Sequence, residues 1–114
     1  MRYLLLIYDN EQEGAKTQEA EFPSWMEYTK KLQESGKMLG GEALKPVSSA
    51  TTVSKSTGKL VVTDGPFAET KEQLGGFYMI EAKNLDEALD WAAKMPNIHR
   101  GRVEVRPIME FDSP

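Results

Sequence analysis

An uninterrupted apolar run, Tyr3 to Tyr8, lies near the start of the chain and constrains the fold more than any other feature. It is rich in strand-forming residues and lacks polar alternation, a pattern typical of a strand that is covered on both faces. The run is too short for a signal peptide, and no stretch approaches the ~20 apolar residues of a membrane span. We therefore expect a central strand in a buried sheet and no membrane segment.

The remaining elements follow in a regular order. Helical spacing with Pro23 in the first turn predicts a first helix from Pro23 to Ser35. Asn84 and Glu87 form a capping-box-like start for a second helix, which Pro96 ends. Strands are expected at 37–44, 77–80 and 102–106, with a hairpin of 51–55 and 59–63 between them. Pro107 places the last strand at a sheet edge.

This order predicts an α+β fold, a ferredoxin-like βαβ-βαβ sandwich with an extra central hairpin and a mainly antiparallel sheet. Two helices cover only one face of such a sheet. Burying roughly 600 Å² of apolar surface at ~25 cal/mol/Å² would gain about 15 kcal/mol before association costs, so a second copy is a sufficient cover for the other face. The rival cover, Lys45 to Gly58, is mostly Ser, Thr and Lys and suits that role poorly. We expect a homodimer.

Composition excludes several classes of protein. The 114 residues fit one domain, spanning 1–114. A net charge of −4 argues against nucleic-acid binding, which needs concentrated Lys and Arg. The chain has no Cys, so disulfides, thiolate nucleophiles and Cys-ligated zinc are excluded, and a reducing cytoplasmic location is compatible. No redox, phosphate or metal motif is visible, so no cofactor is expected.

The segment Asp64-Gly65-Pro66-Phe67 follows an apolar strand and is the strongest functional motif. The Asp side chain accepts backbone N–H bonds, Gly tolerates positive φ, and Pro fixes the exit direction, so the motif reverses the chain. A turn that only holds the fold and a turn that builds a site both remain open.

The string from Asp64 to Phe77, together with 103–107 and Tyr3 to Tyr8, resembles the DGPF branch of the YCII-related proteins over essentially the whole chain. The resemblance implies a dimeric α/β barrel of two ferredoxin-like subunits and a cleft lined by the Asp-Gly-Pro-Phe turn. Proteins of this branch are often encoded beside extracytoplasmic-function sigma factors, which implies a regulatory or stress-response setting.

Related YCII proteins pair a His with an Asp, a combination suited to general acid-base work because imidazole titrates near neutrality. Asp64 matches the Asp of that pair. The predicted first helix contains no His, and the only His, His99, falls in the loop before the last strand, where it is expected to be solvated. The His-Asp chemistry of the relatives is therefore not carried over as a pair.

Two functions remain open. In the first, a cleft binds or transforms a small polar, carboxylate-like molecule: Asp64 is the base or orienting carboxylate, Arg106 holds an anion, and Tyr8, Gly65, Pro66 and Phe67 contact the substrate. An isomerase, lyase or hydrolase without cofactor would fit. In the second, the protein is a non-catalytic module that associates with a sigma factor, and Arg106 belongs to a solvated, paired strand face.

Overall fold

The computed structural model describes residues 1–111 and contains six strands and two helices in those residues. A short 3₁₀ turn, Val47–Ser49, precedes the hairpin. In chain order the elements are β1 (Arg2–Asp9), α1 (Glu11–Glu34), β2 (Met38–Ala43), β3 (Thr51–Ser56), β4 (Lys59–Asp64), β5 (Gln73–Glu81), α2 (Leu85–Ala93) and β6 (Arg102–Pro107).

The main sheet has the strand order β2-β5-β1-β6, and each neighbouring pair is antiparallel. The strand β1 lies in the interior of the sheet and β6 at its edge, as the apolar run and Pro107 predicted. Strands β3 and β4 form a separate two-stranded sheet. The α+β, ferredoxin-like prediction with an extra central hairpin is confirmed.

The first helix is longer than predicted. It begins at Glu11, where the Asn10 side chain accepts a hydrogen bond of 3.1 Å from the Glu13 N–H, and Pro23 lies inside it. The predicted start at Pro23 was wrong because the first turns are polar and largely exposed, so they lack an apolar stripe. A helix of this length forms with one backbone hydrogen bond missing at Pro23.

The second helix begins as predicted. The Asn84 side chain accepts from the Glu87 N–H at 3.0 Å, and the Glu87 carboxylate accepts from the Lys83 N–H at 3.2 Å. Two backbone donors at the helix start are therefore satisfied by side chains. The helix ends at Ala93, three residues before Pro96.

The core lies between one face of the main sheet and the two helices. Tyr3, Leu5 and Ile80 are buried there against Leu32 of α1 and Ala88 of α2. Strand residues alternate between faces, so the residues between them point away from the helices. We call this second surface the open face; its apolar centre is formed by the half-buried, cross-strand paired residues Leu4, Leu6, Phe77 and Met79.

The Gly40-Gly41 pair of β2 lies at a β-bulge and at a close approach of two strands. The register of β2 against β5 shifts between Met38 and Gly40, which marks a bulge. A Cβ atom on Gly41 would lie 2.9 Å from the Phe77 carbonyl oxygen, so the two backbones approach too closely for a side chain.

Within residues 1–111, no helix is both long and apolar enough to cross a membrane.

Candidate functional site

A cleft with a volume of about 630 Å³ opens beside the end of β1. Tyr8 of β1 and Leu74 of β5 form one wall. The 44–50 loop and the 66–72 segment form the others. The cleft therefore lies where the main sheet meets the base of the hairpin.

Side-chain hydrogen bonds near the start of α1 fix the loops around this cleft. The Glu11 carboxylate accepts from the Val47 N–H at 3.0 Å, and the Glu11 N–H donates to the Gln73 side chain at 3.0 Å. The Asn10 amide donates to the Lys71 carbonyl at 3.2 Å. The start of α1 thus positions both cleft loops. This role was not predicted, because the sequence analysis placed the start of the helix at Pro23.

Only the second half of the Asp-Gly-Pro-Phe turn contributes to the cleft wall. Gly65 has a φ of 95°, and its N–H donates to the Ala50 carbonyl at 2.7 Å, while the Thr52 hydroxyl donates to the Gly65 carbonyl at 2.7 Å. Pro66 and Phe67 line the cleft, whereas Asp64 and Gly65 precede the wall. The turn therefore closes the base of the hairpin and delivers two of its four residues to the cleft.

Phe67 is 91% exposed although it forms part of the cleft wall. An aromatic ring of this kind buries 150–250 Å² when it is fully packed. One side of the cleft is therefore open to solvent in the single chain.

Asp64 lies at the end of β4 with its side chain exposed, directly opposite Thr51. The first residue of this turn that lines the cleft is Pro66, two residues later. Asp64 is thus a carboxylate at the rim of the cleft rather than in its wall.

Arg106, which was predicted to hold an anion in the same cleft as Asp64, is not among the residues that line the cleft of the single chain. Arg106 pairs with Leu4 in the sheet register and bonds to the Glu104 carboxylate. Tyr8 lies four positions further along β1, about 13 Å away at strand spacing. Arg102, which is opposite Tyr8, instead forms an ion pair of 3.3 Å with the cleft residue Glu72.

Lys45 is a cleft residue that the sequence analysis did not select. Among the described residues it makes no ion pair, in contrast to Arg100, Arg102 and Arg106. It follows the end of β2 in an irregular loop without hydrophobic periodicity, so no pattern distinguished it from the other lysines. Lys45 is the one cationic residue among those that line the cleft.

A charged cluster lies on the other side of β1. The Arg100 guanidinium bonds to the Asp9 carboxylate at 3.0 Å and to the Glu21 carboxylate of α1. The hydrogen bond from Arg100 holds the pKa of Glu21 below its usual range. The cluster joins β1, α1 and the turn before β6, three segments that are far apart in the sequence.

His99 is exposed, as expected of a loop residue, and its Nε2 lies 3.8 Å from the Glu21 carboxylate. Both side chains line a second cavity of about 410 Å³ beside α1 and α2. His99 is therefore near an acidic group of the first helix and is not among the residues of the larger cleft.

The described residues contain no group of three or more His, Cys, Asp or Glu side chains placed to hold a metal ion.

Comparison with known proteins decides the family. The family model for the YCII-related domain matches residues 1–112. The chain belongs to the YCII-related family. This YCII-related chain is 40% identical over 114 residues to an uncharacterised protein of Rhizobium meliloti (strain 1021), covering 95% of this chain and 92% of that protein.

A solved structure shares the fold of this YCII-related protein. The 5-chloro-2-hydroxyhydroquinone dehydrochlorinase TftG from Burkholderia phenoliruptrix AC1100, in complex with 2,5-dihydroxybenzoquinone, matches with a TM-score of 0.60 and 17% sequence identity. The match covers 97% of this chain and 96% of that one. At this identity the likeness shows the fold.

Proposed function

We propose that this YCII-related protein binds a small polar molecule with a carboxylate or similar anionic group in the cleft beside Tyr8. The observation that carries the proposal is a largely apolar cleft with few polar groups and one unengaged cation. Its volume of about 630 Å³ falls within the ~300–1,000 Å³ typical of small-molecule sites. Tyr8, Pro66 and Phe67 provide walls for an apolar or ring-shaped part of the ligand.

Lys45 takes the role of anion-binding group that the sequence analysis gave to Arg106. An ammonium group binds a carboxylate as a point charge, and it acts more strongly where an apolar wall excludes water. Arg106 is engaged by Glu104 within its own strand. Arg106 does not line the cleft of the single chain. It would contribute to ligand binding only if a second copy completed the cleft.

Asp64 serves in this proposal as an orienting carboxylate at the rim. A carboxylate is a more effective general base near neutral pH when desolvation raises its pKa. In the single chain Asp64 is exposed, so that role is favoured if the homodimer that we propose from the apolar open face covers Asp64. With such a cover, these groups suit cofactor-independent isomerisation, elimination or hydrolysis.

The complex of the structural neighbour supports the proposed size of the ligand. Its bound ligand, 2,5-dihydroxybenzoquinone, is a small ring bearing oxygen atoms. Hydroxylated quinones and aromatic carboxylates are accordingly the first compounds to test.

The test is calorimetric titration and thermal shift with these compounds on the wild type, Lys45→Met and Asp64→Ala, with Lys59→Met as the matched control. Lys59 lies at the hairpin tip, outside the cleft. A ligand present at 100 times its dissociation constant stabilises the folded state by about 2.7 kcal/mol. We expect this stabilisation in the wild type and Lys59→Met, a large loss in Lys45→Met, and a partial loss in Asp64→Ala.

Equal stabilisation of all four proteins would refute the cleft as the binding site. No binding by any of them, with a large loss of stability in Asp64→Ala, would make the turn structural and favour the alternative role as a non-catalytic partner of a sigma factor.

A further inference from the structure

Glu72 is the one acidic residue among those that line the cleft beside Tyr8. Its side chain is 24% exposed, whereas Asp64 lies exposed at the rim. A carboxylate that is largely sheltered from water interacts more strongly with a ligand than an exposed one does. Glu72 is therefore better placed than Asp64 to contact a molecule in the cleft.

Hydrogen bonds fix the backbone on both sides of Glu72. The Thr70 hydroxyl donates to the Glu72 carbonyl at 2.5 Å, and the Gln73 side-chain amide donates to the Thr70 carbonyl at 2.6 Å. The start of α1 holds the same segment, because the Glu11 N–H donates to the Gln73 side chain at 3.0 Å. A carboxylate on a segment that is already ordered loses little conformational entropy when a ligand binds.

Arg102 pairs with this carboxylate without using all of its capacity. The Arg102 Nε lies 3.3 Å from the Glu72 Oε1, and the ion pair runs from β6 to the segment before β5, across the intervening strand β1. An ionised carboxylate has lone pairs on both oxygens, so Glu72 can still accept a hydrogen bond from a ligand. The Arg102 side chain is 82% exposed, so it offsets the negative charge of Glu72 only in part.

The cleft thus presents two opposite charges, Lys45 and Glu72, on neighbouring segments. Lys45 follows the end of β2 and Glu72 precedes β5, and these strands are joined there by a bond of 2.8 Å from the Leu44 N–H to the Gly75 carbonyl. At the usual strand spacing and rise, the two backbones lie roughly 8 Å apart. Both side chains can therefore contact one single-ring ligand.

We infer that the ligand carries a hydroxyl group as well as an anionic group, and that Glu72 accepts a hydrogen bond from that hydroxyl. The inference rests on the proposed function, since Lys45 holds the anionic group. A second anionic group at Glu72 would meet a like charge, whereas a hydroxyl donates to the carboxylate in a charge-assisted hydrogen bond. The ligand class is therefore a small hydroxylated ring with one carboxylate or similar anion.

Five compounds test the inference by calorimetric titration. They are benzoate, the meta and para hydroxybenzoates, and isophthalate and terephthalate, which carry a second carboxylate at those two positions. The wild type should bind the better hydroxybenzoate at least about tenfold more tightly than benzoate, because hydrogen bonds to charged groups are strong. Both dicarboxylates should bind at least about threefold more weakly than benzoate. This comparison uses the wild type alone, so it does not depend on the folding of a variant.

Glu72→Gln keeps the shape of the side chain and removes its charge, and Glu69→Gln is the matched control. Glu69 lies in the same segment, is exposed and does not line the cleft. In Glu72→Gln the preference for the hydroxybenzoate should fall to about threefold, since a neutral hydrogen bond is roughly half as strong as a charge-assisted one. The dicarboxylates should bind Glu72→Gln more tightly than the wild type, and Glu69→Gln should keep the wild-type ratios.

Equal binding of benzoate and both hydroxybenzoates by the wild type, or the same ratios in Glu72→Gln and Glu69→Gln, would overturn the inference. If that result came with a loss of affinity in Lys45→Met, the proposed anion site would stand and only the role of Glu72 would be wrong. If none of the five compounds binds, or if Lys45→Met binds them as the wild type does, the proposed function has failed and the inference fails with it.

Discussion

Replacing Arg100 by Met should remove the charged cluster that joins β1, α1 and the turn before β6. Arg100, Asp9 and Glu21 have side-chain exposures of 16%, 19% and 17%, so the two ion pairs are largely but not fully shielded from water. Breaking a fully buried pair costs about 3–5 kcal/mol, whereas exposed pairs contribute about 0–1 kcal/mol. We expect the free energy of unfolding to fall by about 2 kcal/mol at pH 7.

The loss of stability in Arg100→Met should also depend on pH. The pKa of Glu21 is lowered in the folded state, chiefly by the hydrogen bond from Arg100. Its contribution is therefore present above the unfolded value, near 4.3, and is lost as pH falls through the lower folded value. The difference between wild type and variant should shrink as the pH is lowered from 7 to 3.

Urea denaturation at fixed protein concentration measures both effects, with Arg102→Met as the control. Arg102 also forms one ion pair, but its side chain is 82% exposed, so its loss should change the free energy of unfolding by less than about 0.5 kcal/mol. A loss of stability in Arg100→Met that is equal to the control, or independent of pH, would refute the reasoning.

Three further substitutions, two at glycines and one at a helix cap, are tested by thermal denaturation. Gly101→Ala would place a Cβ 2.4 Å from the Tyr8 carbonyl oxygen, so we expect a loss of more than about 2 kcal/mol, whereas Gly75→Ala, with its nearest neighbour at 4.0 Å, should cost under about 1 kcal/mol. Equal losses would contradict the close approach. Asn84→Ala removes the cap of α2 and should cost about 1 kcal/mol, and no measurable loss would show that the cap is dispensable.

Local patterns were sufficient to predict most of the sheet. The apolar run of β1, the cap at Asn84 and the hairpin turn at Gly58 each depend on neighbouring residues, and each was found where the sequence placed it. The start of α1 was missed because the exposed turns after Asn10 have no apolar face, although the cap itself was present in the sequence. An Asn followed by an acidic residue three positions later was the available sign.

The site was less predictable because its residues meet only in the folded chain. Tyr8, Pro66 and Phe67 were selected and do line one cleft, whereas Lys45 lies in an irregular loop that carries no motif. Arg106 and Asp64 were assigned to one cleft because of their residue types. Residue type does not show at which end of the sheet a side chain lies, and Arg106 lies opposite Leu4, at the end of β1 away from Tyr8. Arg100 contacts residues 79 and 91 positions away, a separation that leaves no periodic pattern.

The aromatic packing between the helices limits what intrinsic fluorescence can report. Tyr28 makes edge-to-face contacts with both Trp25 and Trp91, at ring separations of 6.3 Å and 6.1 Å, and its hydroxyl donates to the Trp91 carbonyl. Both indole emitters therefore sense the packing of α1 against α2. The hairpin of β3 and β4, residues 51–64, contains no aromatic residue. Tryptophan emission will follow the melting of the helix layer and will not change when this hairpin moves, so movement of the hairpin needs its own reporter.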